Sequence, residues 1–166
     1  MTEPRRSRPH MPGYGILGAD EGTGLLPWSW ARERLERSHD YWVATVWPDG
    51  RPHLMPVWGV WSEGALWFSS SPGARKTRNL EARDDVVVAT DDARRPVVVE
   101  GRAARVVDGG TVAAFTDLVN AKYGTELAVD FFTANACLRV TPRRVIGLDD
   151  DDFAGSPTRW EFDPGD

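Results

Sequence analysis

The sequence predicts a mostly β fold, an antiparallel six-stranded barrel with helices inserted between the strands. Two observations carry that reading. About six segments rich in Val, Trp and Thr are separated by short turns containing Gly or Pro. Strands and helices also fail to alternate in the βαβ order that a doubly wound parallel sheet requires.

Residues 1–20 are rich in Pro, Gly and Arg and have no hydrophobic period, so they read as a flexible arm preceding one domain over 21–166. Ser29 is placed to cap a helix reaching about Ser38, with Trp28, Ala31 and Leu35 on one side at helical spacing. YWVATVW (41–47), HLMPVWGVW (53–61) and ALWFSSS (65–71) then form a three-strand meander through the turns PDGRP and SEG. A short helix over 74–83 turns Ala74, Thr77 and Leu80 inward, and DVVVAT (85–90) is the next strand. The strand 96–107 is interrupted by Gly101, where a bend or bulge is expected. Thr111 is read as the cap of a helix with the stripe Val112, Phe115, Leu118 and Val119. CLRVTPRRVIGL (137–148) is a strand in which Pro142 marks an edge or kink. The acidic run 149–152 is a solvated loop, and TRWEF (158–162) is a last short strand.

The composition excludes several functions. A net charge of -5 argues against a general nucleic-acid binder. No run approaches the roughly 18 apolar residues of a membrane span, and no apolar segment follows the basic start MTEPRRSRPHMPGYG as a secretory signal would require. The lone Cys137 excludes an internal disulfide framework and fits a reducing cytoplasmic compartment. Gly13, Gly15 and Gly18 match G-x-G-x-x-G, but nothing strand-like precedes them, so the match is a decoy. His10, His39 and His53 lie at no metal-ligand spacing. Cys137 with His53 as base is outweighed by a buried structural thiol. The serines at 69–71 lack a nucleophile elbow.

The chemistry concentrates in SSSPGARKTRN (69–79). Helix starts favour acids, because their unpaired N–H groups act as a partial positive charge. Here Arg75, Lys76 and Arg78 crowd that place. A Ser/Gly turn entering a helix presents hydroxyls and N–H groups to a phosphate, and Arg75 and Lys76 add formal charge. The competing reading is a basic surface helix paired with Glu81, Asp84 or Asp85. Pro56 marks an interrupted sheet edge on the strand leading toward these serines. The backbone of Val57 and Trp58, with the Trp58 indole, offers a wall for a flat ring. Eight Trp in 166 residues suit either such a wall or a subunit interface.

The order GRPHLMPVWGVW, GALWFSSSPGARKTRNLEARDDVVVAT, RRPVVVEGRA resembles the pyridoxamine 5′-phosphate oxidase-like, flavin-binding split-barrel family over residues 29 to about 107. It looks closest to the actinobacterial flavin/deazaflavin oxidoreductases. The resemblance implies a homodimer of six-stranded split barrels with two cofactor sites at the subunit interface. It implies that Ser69, Ser70, Ser71, Arg75 and Lys76 hold the cofactor phosphate and that Pro56, Val57 and Trp58 run beside the ring. Asn79 would bridge toward the other subunit, and Arg159 and Trp160 would reach the site from the partner chain. The C-terminal Arg-x-His pattern of the true pyridoxamine phosphate oxidases is absent. The implied activity is therefore hydride transfer between coenzyme F420 and a small conjugated substrate (an enone, quinone or tetrapyrrole) docking against Trp58 and Trp61. FMN is the alternative cofactor. Arg78 with Arg5, Arg6 and Arg8 are candidates for the anionic tail of F420. Tyr123, His53 or water is the candidate proton donor. A non-catalytic flavin-binding or haem-binding barrel, the latter through His53, is the reading from another class.

Overall fold

The computed structural model describes residues 3–163. Twelve helices and strands follow one another: β1 (Arg5–Ser7), α1 (Trp28–Arg37), β2 (Asp40–Val46), β3 (Pro52–Ser62), β4 (Ala65–Ser70), α2 (Arg75–Ala82), β5 (Asp85–Thr90), β6 (Val97–Val106), α3 (Gly109–Tyr123), α4 (Val129–Thr133), β7 (Ala136–Gly147) and β8 (Thr158–Glu161). Six strands close on themselves in the order β7-β4-β3-β2-β5-β6, with β6 returning to β7, and β8 and then β1 extend from the far end of β7. All pairings are antiparallel. The structure is thus the mostly β, six-stranded barrel with inserted helices that the alternating segments predict.

Alternation along the strands assigns the faces. Tyr41 and Val43 of β2, Val57 of β3, and Val86 and Val88 of β5 point into the barrel, where Leu35 of α1 closes one end. β4 is apolar without alternation because both of its faces are covered. Leu66 and Phe68 enter the barrel, while Ala65 and Trp67 lie beneath Val112, Phe115 and Val119 of α3. Cys137 belongs to this second core, and burial pushes its thiol up to about 11, which leaves an inert structural cysteine.

The register between β6 and β7 shifts between Glu100 and Gly101, which faces Pro142. A Cβ on Gly101 would stand 2.3 Å from the Thr141 carbonyl oxygen. The bulge therefore exists where only glycine lets the two backbones approach, and it accommodates a proline that cannot donate to the ladder.

Several elements differ from expectation. α1 begins at Trp28 behind Pro27, one residue ahead of a Ser29 cap. α3 is capped by Asp108, whose carboxylate accepts from the N–H (2.8 Å) and hydroxyl (2.7 Å) of Thr111. Thr111 is thus inside the helix, and Leu118 falls outside the buried stripe. Of the expected arm, residues 1 and 2 lie outside the described residues. Arg5–Ser7 forms a strand on β8, and Arg8 donates to the carbonyls of Gly18 (2.8 Å) and Pro157 (2.7 Å). The acidic run is an ion-paired loop: Asp149 and Asp151 meet Arg95, Asp150 meets Arg94 (3.3 Å), and Asp152 accepts from Thr23. The turn DDARRP supplies the two guanidiniums that the composition of the loop alone does not reveal.

Candidate functional site

β3 is shared unequally. Pro52–Trp58 pairs with β2, whereas pairing with β4 begins only at Gly59–Phe68. Ser69 and Ser70 turn instead to Cys137 and Ala136 of β7. β3 and β4 therefore part beyond Phe68, and the edge of β3 bearing Pro56, Val57 and Trp58 faces the opening. Ser71 ends the other arm of this split. Its carbonyl accepts from the Ala74 N–H (3.0 Å) and the Thr77 hydroxyl (2.8 Å), and its hydroxyl accepts from the Gly73 N–H (3.3 Å). These bonds seat the start of α2 on the serine arm.

That start carries no capping side chain and no acid in its first turn. Among the described residues, Arg75, Lys76 and Arg78 have no carboxylate partner. The acids that could have answered them are engaged elsewhere: Glu81 with Arg105 (3.7 Å), Asp84 with Arg102 (3.7 Å), and Asp85 with Arg102 and Arg143 (3.9 Å each). Lys76 is half-buried, and desolvation lowers its pKa. The guanidinium of Arg75 stacks on Trp47 at 3.8 Å, and Arg51 lies over the same indole at 4.5 Å. Arg51 is itself paired with Asp49 (2.9 Å), so the β2–β3 hairpin orients Arg75 through Trp47 rather than adding net charge beside the helix start.

The remaining predicted residues separate. Val57 points into the barrel, so only its backbone borders the opening, while Trp58 is 47% exposed on the outer face. Asn79 is 1% exposed; its Nδ2 donates to Thr45 Oγ1 (3.0 Å), and its Oδ1 is buried without a partner. It packs within its own chain rather than bridging outward, because three residues past Lys76 lies the inner face of α2. Trp160 is fully buried in its own barrel opposite Val145, so the expectation that it serves a partner's site is corrected by the register of β8 on β7. Arg159 lies on the opposite face, donating to Ser7 Oγ (3.0 Å). Arg5 pairs with Glu161, Arg6 donates to the Leu25 carbonyl, and Arg8 is bound to backbone carbonyls, which leaves Arg78 as the member of that candidate set whose guanidinium has no partner among the described residues. Trp61 packs edge-on against Trp28 in the core and offers no docking wall. The Nδ1 of His53 is buried and unpartnered.

The C-terminal end of α3 fixes Trp58. The Tyr123 ring stacks on the indole (centroids 4.3 Å apart, 4° between planes). Its hydroxyl donates to the His39 carbonyl (2.6 Å) and accepts from the Gly59 N–H (2.8 Å), replacing the rung missing where β2 begins. Lys122 Nζ donates to the Gly59 carbonyl (2.8 Å) and to the Tyr41 hydroxyl (3.0 Å). Burial lowers this ammonium to about 8, against the pull of Asp91 and Asp40. Above about pH 8 the folded chain releases a proton that the unfolded chain keeps up to its ordinary lysine value near 10.5, so stability rises with pH in that window. Burial raises Tyr41 and Tyr123 and makes stability fall once unfolded tyrosines ionise, near pH 10. Urea denaturation between about pH 8 and about pH 9.5 is therefore expected to show the wild type rising relative to Lys122→Met, in which the buried Cys137 thiol, ionising first in the unfolded chain, makes stability fall. A parallel pH course in the variant would assign the effect to other groups.

Beside the serines lies a pocket of about 250 Å³ lined by Trp58, Ser69, Ser70, Ser71, Phe115, Val119, Leu127, Phe131, Phe132 and Asn135. Its helical wall was not foreseen; the adjacent phenylalanines in AVDFFT were its only trace. The outer face of the sheet is also apolar. Val87, Ala44 and Leu54 form one rung across β5, β2 and β3, and Ala89, Trp42 and Pro56 form the next. Trp42 and Leu54 are exposed there.

Residues 30–149 match the family described as Pyridoxamine 5′-phosphate oxidase, and the chain belongs to that family. A solved F420 reductase is similar at 28% identity, with 69% of this chain and 94% of that chain covered and a TM-score of 0.58. A conserved hypothetical protein from Mycobacterium tuberculosis is 20% identical over 89% of this chain and 87% of its own, with a TM-score of 0.65. A haem storage protein from Vibrio cholerae is 20% identical over 67% and 86%, with a TM-score of 0.58. At these two lower identities the likeness shows the fold alone. No curated protein matches the chain.

Proposed function

We propose that this protein is an F420-dependent oxidoreductase that moves hydride between the deazaflavin and a small conjugated substrate. The observation that carries the reading is the unanswered charge at α2. Among the described residues, three first-turn cations lack carboxylate partners where serine hydroxyls and an uncapped helix start meet at the split. A phosphate there turns an unfavourable helix terminus into a favourable one. Ser69, Ser70, Ser71, Arg75 and Lys76 hold that phosphate, Arg75 through a guanidinium already oriented by Trp47. The ring lies along the free edge of Pro56–Trp58. When bound, the cofactor supplies the hydride; the protein orients it and excludes water.

The similarity to an F420 reductase favours the deazaflavin over FMN, whose ring and phosphate would take the same seat. The anionic tail that FMN lacks falls to Arg78, exposed on α2. The protein acts as a homodimer through the apolar outer face of β5, β2 and β3. That face continues to Pro56 and Trp58, so the cofactor borders the interface. No acid or base side chain is required for hydride delivery.

An anaerobic single-turnover experiment tests the activity. Protein loaded with reduced F420 is mixed with 2-methyl-1,4-naphthoquinone, and the absorbance of the oxidised deazaflavin is expected to return well above the rate in buffer. Equal rates with and without protein would leave a carrier rather than an enzyme.

A further inference from the structure

We infer that the cavity beside the β3–β4 turn, at the opposite end of β4 from the split, binds a small quaternary ammonium ion. Trp28 and Phe162 are its aromatic walls, and Glu3, Glu36 and Glu63 supply the countercharge. The inference uses no residue given to the cofactor and stands apart from the functional reading.

The cavity holds about 460 Å³, within the range of about 300–1,000 Å³ typical of small-molecule sites. Its lining comes from α1, the β3–β4 turn, Phe162 just past β8, and Glu3 ahead of β1. Trp28 is half-buried, and three rings pack on it at steep angles. Their centroids lie 5.1 Å away for Phe162, 5.7 Å for Trp160 and 6.1 Å for Trp61. The indole is therefore held in place before any ligand arrives, which lowers the ordering cost of binding. Trp61 is buried and braces Trp28 rather than forming a wall.

The charge of this lining is one-sided. Three carboxylates face a single guanidinium, that of Arg32, which is engaged by Glu36 (3.6 Å). Among the described residues, Glu3 and Glu63 have no cationic partner. The next tryptophan on the same helix shows what is missing. Trp30 and Arg34 stand four residues apart, and the guanidinium lies over the indole at 3.7 Å. Trp28 and Arg32 have the same spacing, yet Arg32 turns to Glu36, and no cation of the described chain covers Trp28. A ring face beside unanswered carboxylates attracts a cation from solution. No group of metal ligands forms among the described residues. A quaternary ammonium suits the walls because its methyl groups pack on rings and it needs no hydrogen-bond acceptor. The turn keeps a carboxylate here against its own backbone preference. Glu63 and Gly64 form the two-residue connection with φ of 51° and 70°, where Asn or Gly is usual at the first position. Glu63 is the one non-glycine with positive φ among the described residues.

The test titrates the full chain with choline and with its uncharged isostere 3,3-dimethyl-1-butanol, following the indole N–H signals by nitrogen–proton correlation NMR. Choline is expected to shift the Trp28 signal saturably and leave Trp58, at the split, unmoved. The alcohol should bind at least about fivefold more weakly, the usual worth of a cation over a ring at a partly exposed site. Glu63→Asn should weaken choline about threefold while the melting temperature stays level or rises, because Asn tolerates the turn conformation. A merely structural Glu63 would not produce that opposition. Arg32→Ala should tighten choline about twofold by releasing Glu36. Equal binding of choline and the alcohol, shifts at Trp58 in place of Trp28, or an affinity unchanged in both variants overturns the inference. So does an absence of choline binding.

Discussion

Replacing two of the three first-turn cations, Arg75→Ala with Lys76→Ala, is expected to weaken cofactor binding by about 100-fold or more while leaving the apo-protein folded. A hydrogen bond to a charged group contributes about 1.5–3 kcal/mol, and two of them are lost, at about 1.4 kcal/mol per decade of affinity. The stability change should be small because its components oppose each other. Each cation beside the positive helix end costs about 0.3–1 kcal/mol, which the variant recovers. The stacking of Arg75 on Trp47, of about 0.5–1 kcal/mol at such sites, is lost. Isothermal titration with cofactor and a melting curve of the apo-protein check the two halves. A collapse of the melting transition with unchanged affinity would make these residues structural.

Gly101→Ala is expected to destabilise the fold by about 3 kcal/mol or more, or to prevent folding. Overpacking in cores costs about 1–3 kcal/mol when side chains can adjust, and occasionally more. Here the obstacle is backbone. The new Cβ would meet the Thr141 carbonyl oxygen at 2.3 Å and its carbon at 3.0 Å, so β6 and β7 must separate at the bulge that closes the barrel. Gly73→Ala provides the contrast, since a Cβ there meets only Ser71 Oγ at 3.8 Å, and it should be close to neutral. Urea denaturation of the two variants side by side would contradict the account if they lost similar stability.

The barrel was legible because its strands obey local rules. β2 and β5 alternate cleanly, the hairpin turns contain the glycines they need, and Gly101 stood out inside a valine-rich strand. The charge mismatch at α2 was legible for the same reason, since helix-terminus electrostatics act over one turn. What was hidden depends on register and on distant partners. Trp160 turns inward because of where β8 pairs with β7, and a slip of one residue would have exposed it. Asn79 turns inward because Thr45, 34 residues away, lies beneath α2. Lys122 and Tyr123 become part of the site wall only because α3 ends over Gly59, where the strand ladder lacks a rung. The fate of Asp149–Asp151 was set by arginines more than 50 residues upstream, and that of Asp152 by Thr23. Local patterns predicted the scaffold and the cationic end of the site; the aromatic pocket emerges only from the assembled chain.

The central claim is that the cations at the start of α2 answer a cofactor phosphate, and that the cofactor is the deazaflavin. A paired titration of the apo-protein with coenzyme F420 and with FMN, followed by cofactor fluorescence, tests it most directly. The account predicts saturable binding of F420 at least about 10-fold tighter than FMN, about 1.4 kcal/mol, through contacts to the tail that FMN lacks. Tighter binding of FMN would move the protein to the flavin-dependent side of its family, and failure of both to bind would contradict the assignment of the phosphate site itself.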